Sequence, residues 1–180
     1  MSGQRITSSW RAKLIGIRGP MRRWLTDQGS LTRRIIDSCP QFSVRHVYQY
    51  SGRADADEAE MCGLNAKPSA LLREVFLYCR DTPVVFAHSV LPNSSLRGAW
   101  TKLGRLGNRP LGAALFANPC VHRAPLEFKR IDARHPLYRR ACAQMAQRPH
   151  CLWARRSLFQ LQGRRILVTE VFLPALLELS

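Results

Sequence analysis

Residues 71–91 read LLREVFLYCRDTPVVFAHSVL, two apolar runs joined by the polar stretch RDTP at 80–83. Short runs rich in β-branched and aromatic side chains, separated by a turn signal, predict a β-hairpin. A second pair of apolar runs, residues 152–161 and 166–173, flanks another polar turn. Both pairs predict antiparallel strands, because parallel neighbours need a long crossover connection.

The remaining sequence adds strands and short helices around these hairpins. Period-two alternation predicts a strand over 42–50, whose shared face consists of Phe42, Val44, His46, Tyr48 and Tyr50. We also predict a strand over 126–131, short helices over 32–37, 93–103, 110–116 and 136–146, and a polar connection around the acidic cluster 55–60 that ends by Pro68. This pattern predicts an α+β fold, an antiparallel sheet with helices on one side. We expect one domain over 1–180, with a basic, mobile N-terminal segment at 1–20.

The charge balance is strongly basic. The chain has 28 basic and 12 acidic residues, a formal net charge of +16. The excess is concentrated in residues 1–40, with eight basic and two acidic side chains, and in residues 129–165, with ten and one. Such a field attracts nucleic acid, an anionic membrane surface or a small anionic substrate, and it also fits a solvated surface with no partner.

The six cysteines have irregular spacings and include no C-x-x-C pair. A structural zinc site needs clustered ligands, and the five histidines show no metal-ligand spacing either, so we expect no metal. No cleavable signal peptide is visible, and no uncharged apolar run is long enough to span a membrane. These features predict a cytoplasmic protein whose cysteines are free thiols.

Arg73 lies in the middle of the first apolar run. In a strand it points to the same face as Val75 and Leu77. A guanidinium on an apolar face is costly unless an anion meets it. Two interpretations fit: a buried ion pair with a carboxylate such as Glu74 or Glu127, or a fork that binds the carboxylate of a ligand.

Glu170 poses the matching problem in the last strand, where it shares a face with Val168 and Phe172. A carboxylate there must be paired or protonated, and buried carboxylates serve as acids and bases near neutral pH. Either Glu170 pairs with Arg73 or Arg156 inside the core, or it lies across a cavity from Arg73 as a catalytic group.

Other motifs give weaker signals. The glycine-rich stretch KLGRLGNRPLGAALF at 102–116 places Pro110 at a helix start, where backbone N–H groups bind anions, and it also fits a plain turn between two short helices. His88 lies within an apolar strand, which favours a core residue. The sequence has no nucleophile elbow and no dinucleotide-binding fingerprint, which disfavours hydrolysis and nicotinamide chemistry.

Several segments taken in order carry a family resemblance. They are Trp24-Leu25, GSLT at 29–32, LLREVFLYC at 71–79, VVFAHSVLP at 84–92, KLG at 102–104, PLGAALF at 110–116, LWARRSLF at 152–159 and ILVTEVFLP at 166–174. No single motif is diagnostic, but the ordered set is specific. Over residues 20–175 the chain resembles the chorismate lyases.

The resemblance implies a fold and a reaction. The fold is an antiparallel sheet of about six strands flanked by short helices, with an internal ligand cavity under helical flaps. The reaction eliminates pyruvate from chorismate to give 4-hydroxybenzoate, the first committed step of ubiquinone biosynthesis, with inhibition by the product and no cofactor. Arg73 matches the carboxylate-binding arginine, and Glu170 matches the active-site glutamate. Leu31 and Leu111 match positions whose backbone N–H groups contact the ligand.

Two alternatives remain open at this stage. Effector-binding domains of some bacterial transcription regulators resemble this fold and bind small anions without catalysis, although no DNA-binding helix-turn-helix is visible here. A basic nucleic-acid-binding protein is suggested only by the charge, and we expect no nucleic-acid partner. We expect a monomer, with weak association with anionic membranes through the basic segments.

Overall fold

The computed structural model describes residues 9–64 and 69–179. Within them, seven strands form one sheet: β1 (Phe42–Arg53), β2 (Ser69–Cys79), β3 (Thr82–Pro92), β4 (His122–Arg123), β5 (Glu127–Ile131), β6 (Leu152–Leu161) and β7 (Arg164–Phe172). The strand order is β1-β2-β3-β7-β6-β4, β5 also pairs with β6, and all these pairings are antiparallel. The predicted class is confirmed, with one strand more than the resemblance implies.

Both predicted hairpins are present. Arg80 and Asp81 connect β2 to β3, and Gln162 and Gly163 connect β6 to β7. Gln162 and Gly163 have φ angles of 49° and 73°. Two successive positive φ angles are typical of a type I′ turn, whose twist matches that of the flanking strands. These hairpins supply the four long central strands, which lie in the order β2-β3-β7-β6.

Six short α-helices are distributed along the described residues. They are α1 (Gly19–Thr26), α2 (Leu31–Ser38), α3 (Ala56–Cys62), α4 (Asn93–Leu96), α5 (Leu111–Phe116) and α6 (Pro136–Ala141). The helix predicted over 93–103 is divided into α4 and a 3-10 turn, Thr101–Arg105. The one predicted over 136–146 is divided into α6 and the 3-10 turn Cys142–Gln144.

The helices cover both faces of the sheet, so the prediction of helices on one side is wrong. Trp24 of α1 belongs to the core that contains Phe172, whereas Leu137 of α6 belongs to the core that contains Val171. Consecutive strand residues point to opposite faces, so these two cores lie on opposite sides of the sheet. The sequence does indicate burial on both faces, because its strands contain consecutive apolar residues, which are typical of a sheet covered on both sides.

The predicted face of β1 is also wrong. His46 has a φ of 51°, and the pairing with β2 shifts between Arg45 and Tyr48. A β-bulge of this kind inserts an extra residue and reverses which side chains point inward. Val44 is therefore buried as predicted, but Tyr48 beyond the bulge is 54% exposed.

The acidic cluster at 55–60 forms most of α3, which corrects the predicted polar connection. Glu58 accepts a hydrogen bond from the backbone N–H of Asp55 at 3.3 Å, as in a capping box. Gly63 ends the helix with a φ of 71°, in the left-handed region that glycine favours. The predicted end of the connection at Pro68 lies outside the described residues.

The prediction of free thiols is wrong for one pair, because a disulfide joins Cys39 to Cys79. It links the end of α2 to the end of β2. The spacing of the cysteines in the sequence did not predict this bond. The two residues come together because β1, which follows Cys39, pairs with the end of β2. The other four cysteines are free within the part of the chain that the structure describes. No helix among the described residues is long and apolar enough to cross a membrane.

The basic N-terminal segment is described only from residue 9 onwards. There the chain runs beside β5, where Arg11 and Phe128 exchange two backbone hydrogen bonds of 3.0 and 2.8 Å. Trp10 stacks against the guanidinium of Arg156, 4.4 Å from the ring centroid. Residues 1–8 of the predicted mobile segment lie outside the described residues.

Candidate active site

A cavity lies on one face of the sheet, beneath the first turns of α2 and α5, with about 590 Å³ of space free of protein atoms, including its mouth. Strands β2, β3, β6 and β7 form its floor. The charged, polar and helix-start residues in its wall are Gly29, Leu31, Thr32, Arg73, Ser89, Leu111, Gly112, Arg123, Arg155, Ser157 and Glu170. All four sequence-predicted site residues, Arg73, Glu170, Leu31 and Leu111, are therefore brought together.

The strand register explains why a cavity forms here. Ala87 and Ser89 occupy the middle of β3, and Ser157 lies on β6. The floor therefore has small side chains at these positions, whereas the surrounding positions of the cavity wall have larger ones. Arg73 lies opposite Ser89 across the β2–β3 pair, and Glu170 lies opposite Ala87 across the β3–β7 pair. The long polar side chains thus extend over small ones, which leaves room for a ligand between them.

Arg73 is 2% exposed and is held by the glycine-rich loop. Its Nη2 donates hydrogen bonds to the carbonyl oxygens of Gly107 and Arg109, at 3.1 and 3.0 Å. Its Nε is buried and has no hydrogen-bond partner among the described residues. Burial lowers the pKa of this guanidinium. A buried cation with an unused donor is typical of a site that receives an anion.

The proposed carboxylate partners of Arg73 point elsewhere. Glu74 faces the other side of the sheet, where its Oε1 lies 2.7 Å from Nη1 of Arg140. Glu127 pairs with Arg156 at 2.7 Å. The ion-pair interpretation of Arg73 is therefore wrong for both residues.

Glu170 pairs with Arg155, not with Arg73 or Arg156 as the core interpretation expected. Arg155 Nε donates to Glu170 Oε2 at 2.6 Å across the β6–β7 pair. Arg155 was not predicted as a site residue, although the adjacent arginines in LWARRSLF must point to opposite faces of a strand.

Arg155 is completely buried and connects the sheet to α1. Its Nη1 donates to the carbonyl oxygens of Trp24, Leu25 and Asp27, at 3.1, 3.2 and 2.7 Å. Carbonyl groups at a helix end lack intrahelical donors, and a cation there also complements the helix dipole. Its Nη2 is buried without a hydrogen-bond partner in the described part of the chain.

Arg123 is the second cavity arginine that sequence analysis missed. It lies on β4, which has only two residues and gives no periodic signal. Its Nε donates to Ser157 Oγ at 3.1 Å, and its Nη1 donates to the carbonyl of Gln28 at 2.8 Å. The guanidinium carbon is 5.4 and 5.3 Å from the ring centroids of Phe116 and Phe159. Burial and the charge of Arg155 lower its pKa.

Leu31 and Leu111 are the first residues of α2 and α5. The first N–H groups of a helix have no intrahelical acceptor and remain available to a ligand. The two helix starts pack closely, since a Cβ added at Gly112 would lie 3.2 Å from Oγ1 of Thr32. This close approach explains a glycine after Leu111 and places both helix starts at the cavity.

His88 points away from the cavity, as the core interpretation expected. It is 1% exposed, its Nδ1 lies 3.0 Å from Glu74 Oε1, and its Nε2 lies 3.4 Å from Glu58 Oε1. Burial lowers the pKa of His88, but its contacts with the carboxylates of Glu58 and Glu74 outweigh this effect and the pKa is raised. The cluster fastens α3 to the back of the sheet.

The charges of the cavity wall do not balance. Among the described residues, three guanidinium groups line it, those of Arg73, Arg123 and Arg155, against the single carboxylate of Glu170. The excess of two positive charges in a buried space favours a ligand with two negative charges. No group of three or more histidine, cysteine, aspartate or glutamate side chains in the described residues is arranged to hold a metal ion.

The fold and the cavity define a class, that of α+β proteins with an arginine-lined cavity between one antiparallel sheet and the starts of two short helices. A family model described as chorismate lyase matches residues 9–178. The chain belongs to the chorismate lyase family, as the resemblance indicated, and it is an enzyme of the lyase class.

Relatives of similar length support this membership. A protein of Nitrosomonas europaea named probable chorismate pyruvate-lyase is 50% identical over 171 residues, which cover 95% of this chain and 96% of that protein. One of Nitrosospira multiformis with the same name is 51% identical over 174 residues, covering 96% and 97%.

Solved structures of lower identity share the fold alone. A GntR-family transcriptional regulator from Bacillus cereus gives a TM-score of 0.55 at 12% identity, covering 74% of this chain and 92% of that one. The effector domain of PhnF from Mycobacterium smegmatis gives 0.52 at 14% identity, covering 74% and 81%.

Proposed function

We propose that this protein eliminates pyruvate from chorismate and releases 4-hydroxybenzoate. The observation that carries the proposal is the buried excess of two positive charges in the cavity, together with the shared name of the relatives. Chorismate is a small dianion with one carboxylate on the ring and one on the enolpyruvyl side chain. Its charge equals the excess in the cavity wall.

The reaction needs positioning and the transfer of one proton. Two bonds of the ring break: the C–O bond to the ether oxygen and the C–H bond of the neighbouring carbon, which bears the hydroxyl. The ring thereby becomes aromatic. The departing enolpyruvate gains a proton at its methylene carbon and becomes pyruvate. Because aromatisation supplies the driving force, the proposal requires no redox cofactor and no metal. Enclosure of the reactive conformer in a dry cavity contributes to the rate.

In this proposal, Arg73 binds the ring carboxylate. Its buried Nε has an unused donor and faces no carboxylate of the protein among the described residues. The backbone N–H groups of Leu31 and Leu111 complete the site from the two flaps. A charge-assisted fork plus backbone donors is the arrangement that a carboxylate prefers.

Glu170 lies at the reacting carbon in this proposal, and three roles fit its position. It accepts the ring proton, it donates to the departing enolpyruvate, or it only positions substrate for an internal proton transfer. We favour the first role, because Arg155 fixes one carboxylate oxygen at 2.6 Å and thereby orients the group within the cavity.

The proposal also covers the biological setting. The product is an aromatic acid that enters ubiquinone biosynthesis, and the enclosed cavity predicts slow release and inhibition by 4-hydroxybenzoate. We propose a single domain over 1–180 that acts as a monomer in the cytoplasm, because a dianion does not cross a membrane unaided. Weak binding to anionic membranes rests on the basic segments, and co-sedimentation with anionic vesicles at low salt tests it.

The test is a direct assay. Purified protein is mixed with chorismate alone, 4-hydroxybenzoate is followed by absorbance, and pyruvate is followed by a coupled assay. Equal yields of both products support the proposal. Binding of 4-hydroxybenzoate without consumption of chorismate contradicts it and supports a non-catalytic anion-binding domain. If neither occurs, the salt dependence of nucleic-acid binding tests whether the protein is a basic nucleic-acid-binding protein instead.

A further inference from the structure

Arg123 and Arg155 form a second cationic group within the cavity, separate from Arg73. Arg73 lies on β2, whereas Arg155 lies on β6, three strands away in the order β2-β3-β7-β6. Adjacent strands are about 4.8 Å apart, so the two backbones are separated by roughly 14 Å. The protein partners of the two guanidinium groups also differ, because Arg73 contacts the glycine-rich loop and Arg155 contacts Glu170 and α1.

The described carboxylate of the cavity wall neutralises the charges at the β6 end only in part. Arg123 and Arg155 are close enough for the charge of Arg155 to lower the pKa of Arg123. Glu170 is the one carboxylate in the cavity wall among the described residues, and it neutralises one of the two. The buried Arg155 and the half-buried Arg123 beside one carboxylate favour an additional anion between them.

Donors for that anion are already positioned. The Nη2 of Arg155 is buried and has no hydrogen-bond partner in the parts of the chain that are described. Ser157 Oγ donates to the carbonyl of Ala124 and accepts from Arg123 Nε, which fixes the orientation of the Arg123 guanidinium. The rings of Phe116 and Phe159 restrict the same group further.

The position of Arg123 also connects this end of the cavity with the surface. Arg123 lines both the cavity and an open groove, where it is joined by Lys13, Arg22 and His122. A small anionic fragment released beside Arg123 therefore meets further basic side chains on its way to solvent.

We propose that Arg123 and Arg155 form a subsite for the carboxylate of the enolpyruvyl side chain and of the pyruvate it becomes. This inference rests on the proposed function and extends it from the ring to the leaving group. Arg155 stabilises the negative charge that develops on the departing enolpyruvate, because its guanidinium adjoins Glu170 at the reacting carbon. The ring carboxylate and the side-chain carboxylate are thus bound by different arginines.

The test compares two ligands that differ in the second carboxylate. 4-Hydroxybenzoate has only the ring carboxylate, whereas chorismate has both. In Arg123→Gln, we expect kcat/KM for chorismate to fall about ten- to a hundredfold, from the loss of a charge-assisted contact, and the Kd for 4-hydroxybenzoate to stay within about twofold. Arg123→Lys keeps the charge and should recover part of the loss. Arg45→Gln, with the same charge change outside the cavity wall, should match the wild type.

The outcomes separate the subsite from the reaction itself. An unchanged kcat/KM in Arg123→Gln, or an equal loss of affinity for 4-hydroxybenzoate, overturns the subsite while the wild-type activity stands. If the wild type does not consume chorismate, the proposed function fails. Calorimetric titration with chorismate then decides the subsite: selective weakening in Arg123→Gln supports it, and equal binding by both proteins overturns it.

Discussion

Glu170 and Arg155 lie opposite each other on neighbouring strands, with Oε2 and Nε 2.6 Å apart. Arg155 in turn binds three carbonyl groups at the end of α1 and beyond it, including that of Asp27 at 2.7 Å. The position of the carboxylate therefore depends on a helix that lies more than 120 residues away in the sequence. This chain of contacts joins the end of α1 to the carboxylate in the cavity.

We expect Glu170→Gln to lower kcat by about 10²- to 10⁴-fold, because the amide keeps the shape of the carboxylate but cannot accept the ring proton. Affinity for 4-hydroxybenzoate, measured by calorimetry, should change by less than about threefold. Glu178→Gln is the matched control, since Glu178 is exposed outside the cavity wall. A kcat near that of the wild type would contradict the base role and favour an internal proton transfer.

We expect Arg155→Gln to lower the free energy of unfolding by about 3–5 kcal/mol, because Glu170 loses its buried partner and the α1 carbonyls lose a donor. Urea unfolding measures this change. Arg45→Gln is the comparison, because Arg45 pairs with Asp81 where their side chains are 42% and 93% exposed. An exposed pair contributes at most about 1 kcal/mol. Equal stability losses in the two variants would argue against the structural role of Arg155.

The His88 cluster predicts a pH-dependent stability. The pKa of His88 is raised above its ordinary value of 6.5, so its contribution is complete below that pH and is lost as the pH rises through the folded pKa. Burial raises the pKa of Glu58, but its close contact with His88 outweighs this effect, and the pKa is lowered from 4.5. The contribution of Glu58 is present above that value and is lost as the pH falls through the lowered pKa.

Urea unfolding across pH 5–9 tests this expectation. The charged groups around His88 are Glu58 on α3, Glu74 on β2 and Arg140 on α6. Above about pH 6.5, wild-type stability should fall more steeply than that of His88→Gln, which has no proton to lose at this position. Parallel curves over that interval would show that His88 does not titrate with folding.

The disulfide between Cys39 and Cys79 closes a loop across a sequence separation of 40. A loop of this length gives about 3–5 kcal/mol of stabilisation in the chain-entropy description. We expect dithiothreitol to lower the free energy of unfolding by up to this amount in the wild type and to have no effect in Cys39→Ser. Cys120→Ser should retain the response, since Cys120 is exposed and outside the bond. The same response in Cys39→Ser would point to another thiol.

Six of the seven described strands and two of the four charged residues in the cavity wall were predicted from the sequence. Apolar runs with turn signals defined the hairpins, and a charged residue amid apolar neighbours identified Arg73 and Glu170. The bulge at His46 was missed because its positive φ leaves no mark on the alternation. The contact between Cys39 and Cys79 was missed because only the sheet brings their chain segments together.

The two missed arginines show a different limit. Arg155 and Arg156 are adjacent in sequence, and only the faces of the sheet decide which one meets Glu170. Arg123 lies on a strand of two residues, too short for any period to be read. Their contribution to the cavity depends on strand order, which local patterns do not encode.

We propose that this cavity binds chorismate through Arg73 and converts it. The most direct measurement is kcat/KM for chorismate in the wild type and in Arg73→Ala, with circular dichroism as the check that the variant is folded. We expect equal yields of 4-hydroxybenzoate and pyruvate from the wild type. In the variant we expect kcat/KM to fall roughly 30- to 4,000-fold, which corresponds to about 2–5 kcal/mol. Turnover by a folded Arg73→Ala protein at the wild-type rate would contradict it.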